Sequence, residues 1–160
     1  MAKNLIVYYS LEGNTEWTVQ EIAKRIDTDL LRLVPKKAYP DSGFKKFFWG
    51  GKSATMKEQP ELVPYQVDLS QYQRIIFATP VWAATFAPPL RTFLKENDLT
   101  GKRYALAACS SGGNAQGCFK KLMTELHISG VDATLSLIDP KDKPSAENQE
   151  RIDDFCEKIQ

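Results

Sequence analysis

The chain has 160 residues, enough for one domain with a sizeable core, and its composition, 42% hydrophobic and 26% charged, is that of an ordinary globular protein. Its 21 basic and 20 acidic side chains leave a net charge of +1, and no basic stripe with interleaved aromatic residues indicates nucleic-acid binding. No apolar run reaches the roughly 18 residues of a membrane span, and the start lacks a signal-peptide pattern. We expect a single cytoplasmic domain over residues 1–160, with no nucleic-acid or membrane partner.

Short apolar runs alternate with amphipathic stretches along the chain. The first run, Leu5–Tyr9, is apolar and consists mainly of β-branched and aromatic residues, which is typical of a strand buried on both faces. Similar runs predict four further strands, at 30–35, 74–80, 103–109 and 133–138. Helical periodicity and helix start signals predict helices at 14–26, 88–97, 114–128 and 145–159, with a short helix near 43–57 inside a polar and aromatic stretch at 36–68.

Prolines and a serine mark several of these boundaries. Pro35 is expected to close the second strand and Pro80 to break the third. Pro88 and Pro89 suit the first turn of the second main helix, and Ser145 could cap the last one. Strands that alternate with helices at this spacing form βαβ units, which predicts a parallel sheet with helices on both faces. In such sheets ligands bind beyond the carboxyl ends of the strands, where the strand order reverses.

The loop after the first strand has the chemistry of an anion site. Backbone N–H groups and the positive end of a helix dipole meet there, Gly13 permits close approach of the backbone, and short side chains add donors. Simple N-capping by Asn14 or Thr15 is the alternative interpretation. No lysine follows the glycine, so the loop is not a nucleoside-triphosphate site. The candidate residues are Ser10, Leu11, Glu12, Gly13, Asn14 and Thr15.

The loops after the third and fourth strands suit a planar ring. An indole at a strand exit can stack on a flat heterocycle while small neighbours let backbone groups reach the edge of the ring. Alternatively, the indole covers the sheet edge and the glycine-rich loop is a plain turn. The candidate residues of the third strand are Thr79, Pro80, Val81, Trp82 and Ala83, and those of the fourth are Cys109, Ser110, Ser111, Gly112 and Gly113.

No constellation of acid, base and nucleophile accompanies these loops, so no catalytic residue is predicted. The only histidine, His127, falls late in a helix, where a surface or packing role is expected. Three widely spaced cysteines, without a pair of histidines, do not form a disulfide or zinc pattern. We therefore expect reduced thiols and no metal at Cys109, Cys118 and Cys156.

With its loops "YYSLEGNT" and "TPVW", the run Pro80–Leu94, and "GK" at 101–102, the chain resembles the flavodoxin family over nearly its whole length. The resemblance implies a flavodoxin-like α/β fold: a three-layer αβα doubly wound sandwich around a five-stranded parallel sheet of order 2-1-3-4-5. It also implies that flavin mononucleotide (FMN) is the cofactor. The loop at 10–15 would wrap its phosphate, residues 79–83 would line the isoalloxazine ring, and residues 109–113 would approach the other edge of the ring.

Four features depart from the family pattern. Glu12 replaces a threonine or serine of the phosphate loop, so we expect its carboxylate to face solvent while its backbone binds. Ala83 stands where glycine is common, and the near-neutral charge lacks the acidic surface that steers redox partners in many flavodoxins. The loop at 109–117 lacks a tyrosine to cover the second face of the ring. Three aromatic residues of the 36–68 stretch, Phe47, Phe48 and Trp49, could cover it instead, although a core position is the interpretation we favour.

Three functions fit these features. We favour an electron carrier that cycles FMN for redox partner proteins. The alternative is an FMN-dependent oxidoreductase that acts on NAD(P)H and quinones, as an open ring face would allow. A flavin-free binding module on the same fold is the third, because fold alone does not determine function. Either a monomer or a homodimer is compatible with the sequence.

Overall fold

The computed structural model describes residues 4–40, 52–54, 56–113 and 115–160. Its six strands are β1 (Asn4–Tyr8), β2 (Thr28–Arg32), β3 (Arg74–Trp82), β4 (Thr85–Phe86), β5 (Arg103–Ser110) and β6 (Thr134–Ile138). Its four labelled helices are α1 (Asn14–Ala23), α2 (Pro88–Glu96), α3 (Gln116–Leu126) and α4 (Ala146–Lys158). A short 3₁₀ helix, Leu69–Gln71, precedes β3.

Five of the strands form a parallel sheet in the order β2-β1-β3-β5-β6. Counted among the parallel strands alone, this is the predicted order 2-1-3-4-5, and the order reverses between β1 and β3. The prediction of five strands was one short, because β4 pairs antiparallel with the end of β3. A strand of two residues is too short to leave a hydrophobic pattern in the sequence.

Alternate residues of the strands point to opposite faces of the sheet and form two separate cores. On one face Val7, Phe77 and Leu106 pack with Phe93 of α2 and Leu122 of α3. On the other face the neighbouring strand residues Ile6, Ile76 and Ala105 pack with Ile22 of α1 and Phe155 of α4. The sheet is therefore covered on both sides, and the predicted three-layer α/β arrangement is confirmed.

Two predicted strand ends were wrong, and both errors concern prolines. β2 ends at Arg32 rather than at Pro35, since its partner β1 also ends there, with Tyr8 opposite Arg32. β3 does not stop at Pro80 but continues to Trp82. The last residue of β3 that pairs with β1 is Ala78, so the proline lies where that side of β3 has no ladder partner and its missing N–H costs little.

The start signals of two helices were accurate, although the helices predicted at 14–26 and 114–128 are shorter, Asn14–Ala23 and Gln116–Leu126. Pro88 and Pro89 are the first two residues of α2. Ser145 caps α4, and its hydroxyl oxygen accepts a hydrogen bond from the amide of Asn148 at 3.1 Å. Of the helix predicted near 43–57, residues 52–54 are helical and 56–57 form a turn. The rest of that prediction, with Phe47, Phe48 and Trp49, lies outside the described residues.

The hairpin between β3 and β4 is strained. Trp82 pairs with Thr85, so Ala83 and Ala84 form a two-residue turn, with φ values of 50° and 58°. Such turns need positive φ at both positions and usually contain glycine or asparagine, because the left-handed conformation costs other residues about 1–2 kcal/mol each.

Replacing Ala84 with glycine is therefore expected to raise the free energy of unfolding by roughly 0.5–1 kcal/mol, after allowance for the greater entropy of glycine in the unfolded chain. Urea titration followed by circular dichroism measures it. The matched control is Ala146→Gly at the start of α4, where glycine relieves no strain and should lower stability. If both variants lose stability, the turn stores no relievable strain.

Within the described residues, the helices are too short or too polar to cross a membrane. The same part of the chain contains no cluster of histidine, cysteine and carboxylate side chains that could hold a metal ion. All three cysteines are buried free thiols. His127 lies at the C-terminal cap of α3, with an exposed side chain.

Candidate functional site

A cavity of about 270 Å³ opens at the carboxyl ends of β1, β3 and β5, where the strand order reverses. We call it the switch-point cavity. It is lined by parts of all three predicted loops and by one further residue. The lining residues are Ser10, Leu11, Glu12, Asn14, Thr15, Pro80, Val81, Trp82, Ala83, Cys109, Ser110, Ser111 and Asp139. Loops far apart in sequence thus meet at one site, as the strand-end rule predicts.

The end of the cavity nearest α1 is prepared for an anion. Of the first-turn amides, Glu16 donates to the hydroxyl oxygen of Ser10 at 3.1 Å and Trp17 donates to the carbonyl of Gly13 at 2.9 Å. The amides of Asn14 and Thr15 have no hydrogen-bond partner among the described residues. Helix N-termini leave such donors and a partial positive charge, which together bind phosphate.

The alternative interpretation of this loop, N-capping by Asn14 or Thr15, is wrong. The N-cap of α1 is Gly13, with φ of 102° and ψ of −8°, and it has no side chain to cap with. The side-chain oxygen of Asn14 instead accepts a hydrogen bond from the amide of Lys141 at 3.0 Å. The loop is therefore held by a residue outside the helix.

Two residues after β6 contribute to this end of the cavity and were missed by the sequence analysis. Asp139 lines the cavity, and its amide donates to the carbonyl of Ser110 at 3.0 Å. The Lys141 ammonium nitrogen lies 2.9 Å from the position that a Cβ atom on Gly13 would occupy. β6 ends at the same edge of the sheet as the other parallel strands, so the strand-end rule applied to it would have found both residues.

The charges around this end are mixed. The carboxylates of Glu12 and Asp139 line the cavity, and none of its described lining residues is cationic. Glu12 is exposed, as expected from the sequence. The Lys141 ammonium beside Gly13 supplies positive charge next to the loop and offsets part of the repulsion that two carboxylates would exert on a phosphate.

At the opposite end of the cavity, Trp82 belongs to a cluster that comprises three aromatic rings of the described residues. Its indole meets the rings of Tyr39 and Tyr9 edge to face, with centroids 5.1 Å and 5.6 Å away. Tyr39 was not predicted, although it lies in the stretch at 36–68 that we considered as a cover for the ring. Its hydroxyl is 2.9 Å from that of Ser53, which in turn donates to Glu58 at 2.6 Å. The indole is thereby fixed in orientation from two sides.

The third loop forms the edge of the cavity. The sulfur of Cys109 lies 3.2 Å from the hydroxyl oxygen of Thr18, and burial raises the pKa of its thiol to about 11. Cys109 is therefore a neutral thiol at physiological pH and fills space as a small buried side chain. The Ser110 hydroxyl oxygen accepts a hydrogen bond from the Gly113 amide at 2.8 Å, which closes the turn and leaves Ser111 at the mouth.

Four predicted site residues do not line the cavity: Gly13, Thr79, Gly112 and Gly113. Thr79 is fully buried, and its hydroxyl accepts from the amide of Ala87 at 2.9 Å and donates to the carbonyl of Pro80 at 2.7 Å. It therefore links the end of β3 to the start of α2. Gly13 shapes the phosphate-facing loop through its backbone alone.

The fold and the site together define an α/β protein with a strand-end cavity that suits a ligand with an anionic group and a flat ring. The sequence model of the Flavodoxin family matches residues 3–147. The chain belongs to the flavodoxin family.

Solved structures with low sequence identity share the fold. A candidate flavoprotein of Bacteroides eggerthii DSM 20697 is 16% identical, with 98% of this chain and 97% of that chain covered and a TM-score of 0.77. A Lactobacillus acidophilus NCFM flavoprotein in complex with FMN is 22% identical, with 89% and 96% covered and a TM-score of 0.70. An NADH:FMN oxidoreductase in its apo form is 15% identical, with 97% and 89% covered and a TM-score of 0.53.

Proposed function

We propose that this protein binds FMN in the switch-point cavity and carries electrons between redox partner proteins of the cytoplasm. The single observation that carries the proposal is the cavity itself, with unpartnered amides at the α1 end and the Trp82 indole at the other. Membership of the flavodoxin family and the FMN-bound Lactobacillus neighbour support the choice of cofactor. When bound, FMN supplies the one- and two-electron chemistry, and the protein supplies binding and orientation.

Different residues of this chain would hold the phosphate and the ring of this cofactor. The amides of Asn14 and Thr15 and the hydroxyls of Ser10 and Thr15 would hold the phosphate, with α1 directing its positive end toward it. Trp82, fixed by two tyrosines, would contact the ring, and the β5 loop would approach its other edge. The described lining includes no histidine, and burial keeps the Cys109 thiol protonated. Its other ionisable side chains are the carboxylates of Glu12 and Asp139.

One observation favours an FMN-dependent NAD(P)H or quinone oxidoreductase as the second candidate. Ser111, Gly112 and Gly113 are exposed, and neither glycine has a side chain with which to cover a ring. A small planar molecule could stack on a ring face left open in this way. A flavin-free binding module is the remaining alternative on this fold. Neither a monomer nor a homodimer is favoured by these contacts.

Colour and reduction kinetics separate these functions. A purified protein that is yellow, or becomes so with added FMN at one equivalent, supports the proposal, and a colourless protein that takes up no FMN overturns it. Anaerobic stopped-flow mixing with NAD(P)H then decides the role. Slow or absent direct bleaching, with fast reduction through a partner reductase, supports the carrier, and prompt direct bleaching supports the oxidoreductase.

Replacing Thr15 with valine is expected to weaken FMN binding by roughly 1–3 kcal/mol, because a buried hydroxyl beside a charged phosphate is lost. Fluorescence quenching of FMN measures the Kd. Thr15→Ser keeps the hydroxyl and serves as the matched control, with an affinity close to that of the parent. Unchanged affinity in the valine variant would remove Thr15 from the phosphate site.

A further inference from the structure

A second cavity, of about 260 Å³, adjoins the β3–β4 hairpin, since Ala83 of its turn and Thr85 of β4 line it. We call it the cationic cavity. Ala83 lines both cavities, so a ligand in one lies close to a ligand in the other. The lining residues are Ala54, Lys57, Ala83, Thr85, Arg91, Lys121, Thr124 and Glu125.

The lining is strongly biased toward positive charge. Three cationic side chains face a single carboxylate, that of Glu125, which leaves a net charge of about +2 in a protein whose overall charge is only +1. Glu125 is already engaged by the Arg91 guanidinium. The ammonium groups of Lys57 and Lys121 form no ion pair or hydrogen bond with the described residues, so their charges are available to a ligand.

The Arg91 side chain lines this cavity and is held in one orientation by its neighbours. Its side chain is 10% exposed, and its guanidinium carbon lies 4.7 Å from the centroid of the Phe86 ring. A guanidinium held by a carboxylate on one side and an aromatic face on another cannot swing into solvent as a surface lysine can. The remaining walls are the small side chains of Ala54 and Ala83 and the hydroxyl-bearing Thr85 and Thr124, which leave room for a compact anion.

We propose that the cationic cavity binds a phosphate group of a small redox substrate, such as a pyridine dinucleotide, while its reactive part reaches the ring end of the switch-point cavity past Ala83. A phosphate matches the cavity in charge and size. The exposed Lys57 and Lys121 together with the buried Arg91 suit a compact anion with more than one negative charge. The redox role rests on FMN binding and on the second candidate function, the oxidoreductase. Binding of the anion itself depends on neither.

A carboxylate on a protein partner is the competing ligand, and the shape of the cavity disfavours it. Arg91 lies at the bottom of a concave site, whereas docking faces for acidic partners depend on exposed charges spread over a broad surface. A small ligand can place two or three oxygens among Lys57, Lys121 and Arg91 at once.

The test is a titration of the FMN-loaded protein with inorganic phosphate, followed by amide NMR at constant ionic strength. FMN fills the switch-point cavity, so saturable shifts at the amides of Ala83, Thr85 and Thr124 report the cationic cavity. We expect Lys57→Ala combined with Lys121→Ala to raise the phosphate Kd at least about tenfold. Absence of saturable shifts at these amides would overturn the proposal.

The matched control is Lys120→Ala, which removes one exposed lysine of the same helix that does not line the cavity. It should leave the phosphate Kd within about twofold, since only screened long-range charge is lost. If phosphate binding were weakened equally in the control and in the double variant, phosphate would be attracted by the overall surface charge and not by a specific site. The amide spectra also report whether each variant is folded.

A second arm uses NADP⁺, which cannot reduce FMN and so reports binding alone. Shifts at the same three amides, weakened by the double variant, support a nucleotide phosphate as the ligand. Phosphate binding without NADP⁺ binding would overturn the substrate role. If the protein takes up no FMN, the proposed function fails, yet the phosphate titration of the FMN-free protein still tests the cationic cavity through Thr124 and Lys121.

Discussion

Replacement of Arg74 with methionine is expected to lower the free energy of unfolding by about 3–5 kcal/mol, the largest loss that we foresee for a single change away from the hydrophobic core. The Arg74 side chain is 10% exposed and joins three parts of the fold. Its guanidinium donates to the carboxylate of Asp132 at 2.8 Å, to the side-chain oxygen of Asn4 at 3.1 Å and to the carbonyl of Ile159 at 2.6 Å. Methionine keeps the length of the side chain but removes this donor from Asn4 and Ile159 and leaves Asp132 with Arg103 alone.

Arg103 provides a control on the same carboxylate. Its guanidinium nitrogen is 3.0 Å from Asp132, but its side chain is 65% exposed, so Arg103→Met should cost less than about 1 kcal/mol. Urea denaturation of both variants measures the difference. Similar losses for the two would mean that burial and the additional acceptors of Arg74 contribute nothing.

The contribution of the Arg74–Asp132 ion pair to the free energy of unfolding should depend on pH. Partial burial pushes the pKa of the Asp132 carboxyl up, hydrogen bonds from Arg74 and Arg103 push it down, and the net direction is below its ordinary value. A lowered folded-state pKa adds stability above the unfolded pKa of about 3.9 and loses it as the pH falls through the folded value. Acidification below about pH 4 should therefore narrow the gap in stability between the parent and Arg74→Met.

Replacement of Gly13 with alanine is expected to weaken FMN binding by about 10- to 100-fold. The φ of 102° at this position costs a side chain on the order of 1–3 kcal/mol, and the new Cβ atom would meet the Lys141 ammonium at 2.9 Å. Either the loop at 10–15 shifts and its amides turn away from the phosphate, or the Lys141 ammonium is displaced and its positive charge lies farther from the phosphate. Both outcomes reduce the affinity measured by fluorescence titration.

Gly112→Ala is the matched control in the β5 loop. An alanine Cβ atom there meets no atom within 4 Å, and Gly112 is not among the residues with positive φ. Its FMN affinity should stay within about twofold of the parent, since no strain is added. A comparable loss at both glycines would show that loop flexibility, and no specific backbone conformation, governs cofactor binding.

The fold was predictable from the sequence because strands buried on both faces leave continuous apolar runs, of which Leu5–Tyr9 is the clearest. Features that depend on where a neighbouring strand ends or pairs, such as the end of β3 and the turn at 83–84, were not predictable. Pro80 breaks a strand only if the partner on its N–H side continues, and β1 ends before that point. The left-handed conformations of Ala83 and Ala84 follow from the pairing of Trp82 with Thr85, and an Ala-Ala sequence does not encode such a turn.

Some residues of the candidate site were likewise predictable from the sequence, and others were not. The loop at 10–15 could be found because its chemistry is local: a strand, a glycine and a helix start within a few residues. Tyr39 belongs to the site only through tertiary placement, and for Asp139 and Lys141 the only sequence signal is their position just after the last predicted strand. The free thiol of Cys109 was predicted from the number and spacing of the cysteines, whereas its contact with Thr18 depends on the packing of α1.

The hydrogen bond between the Asn14 side chain and the Lys141 amide joins residues 127 positions apart in the chain. The loop at 10–15 thus takes its final shape from a segment that is distant in the sequence. β1, β3 and β5 surround the cavity, yet Asp139 and the lysine beside Gly13 both follow β6. A change confined to residues 139–141 is therefore expected to alter the conformation of the loop at 10–15 although no residue of that loop is replaced.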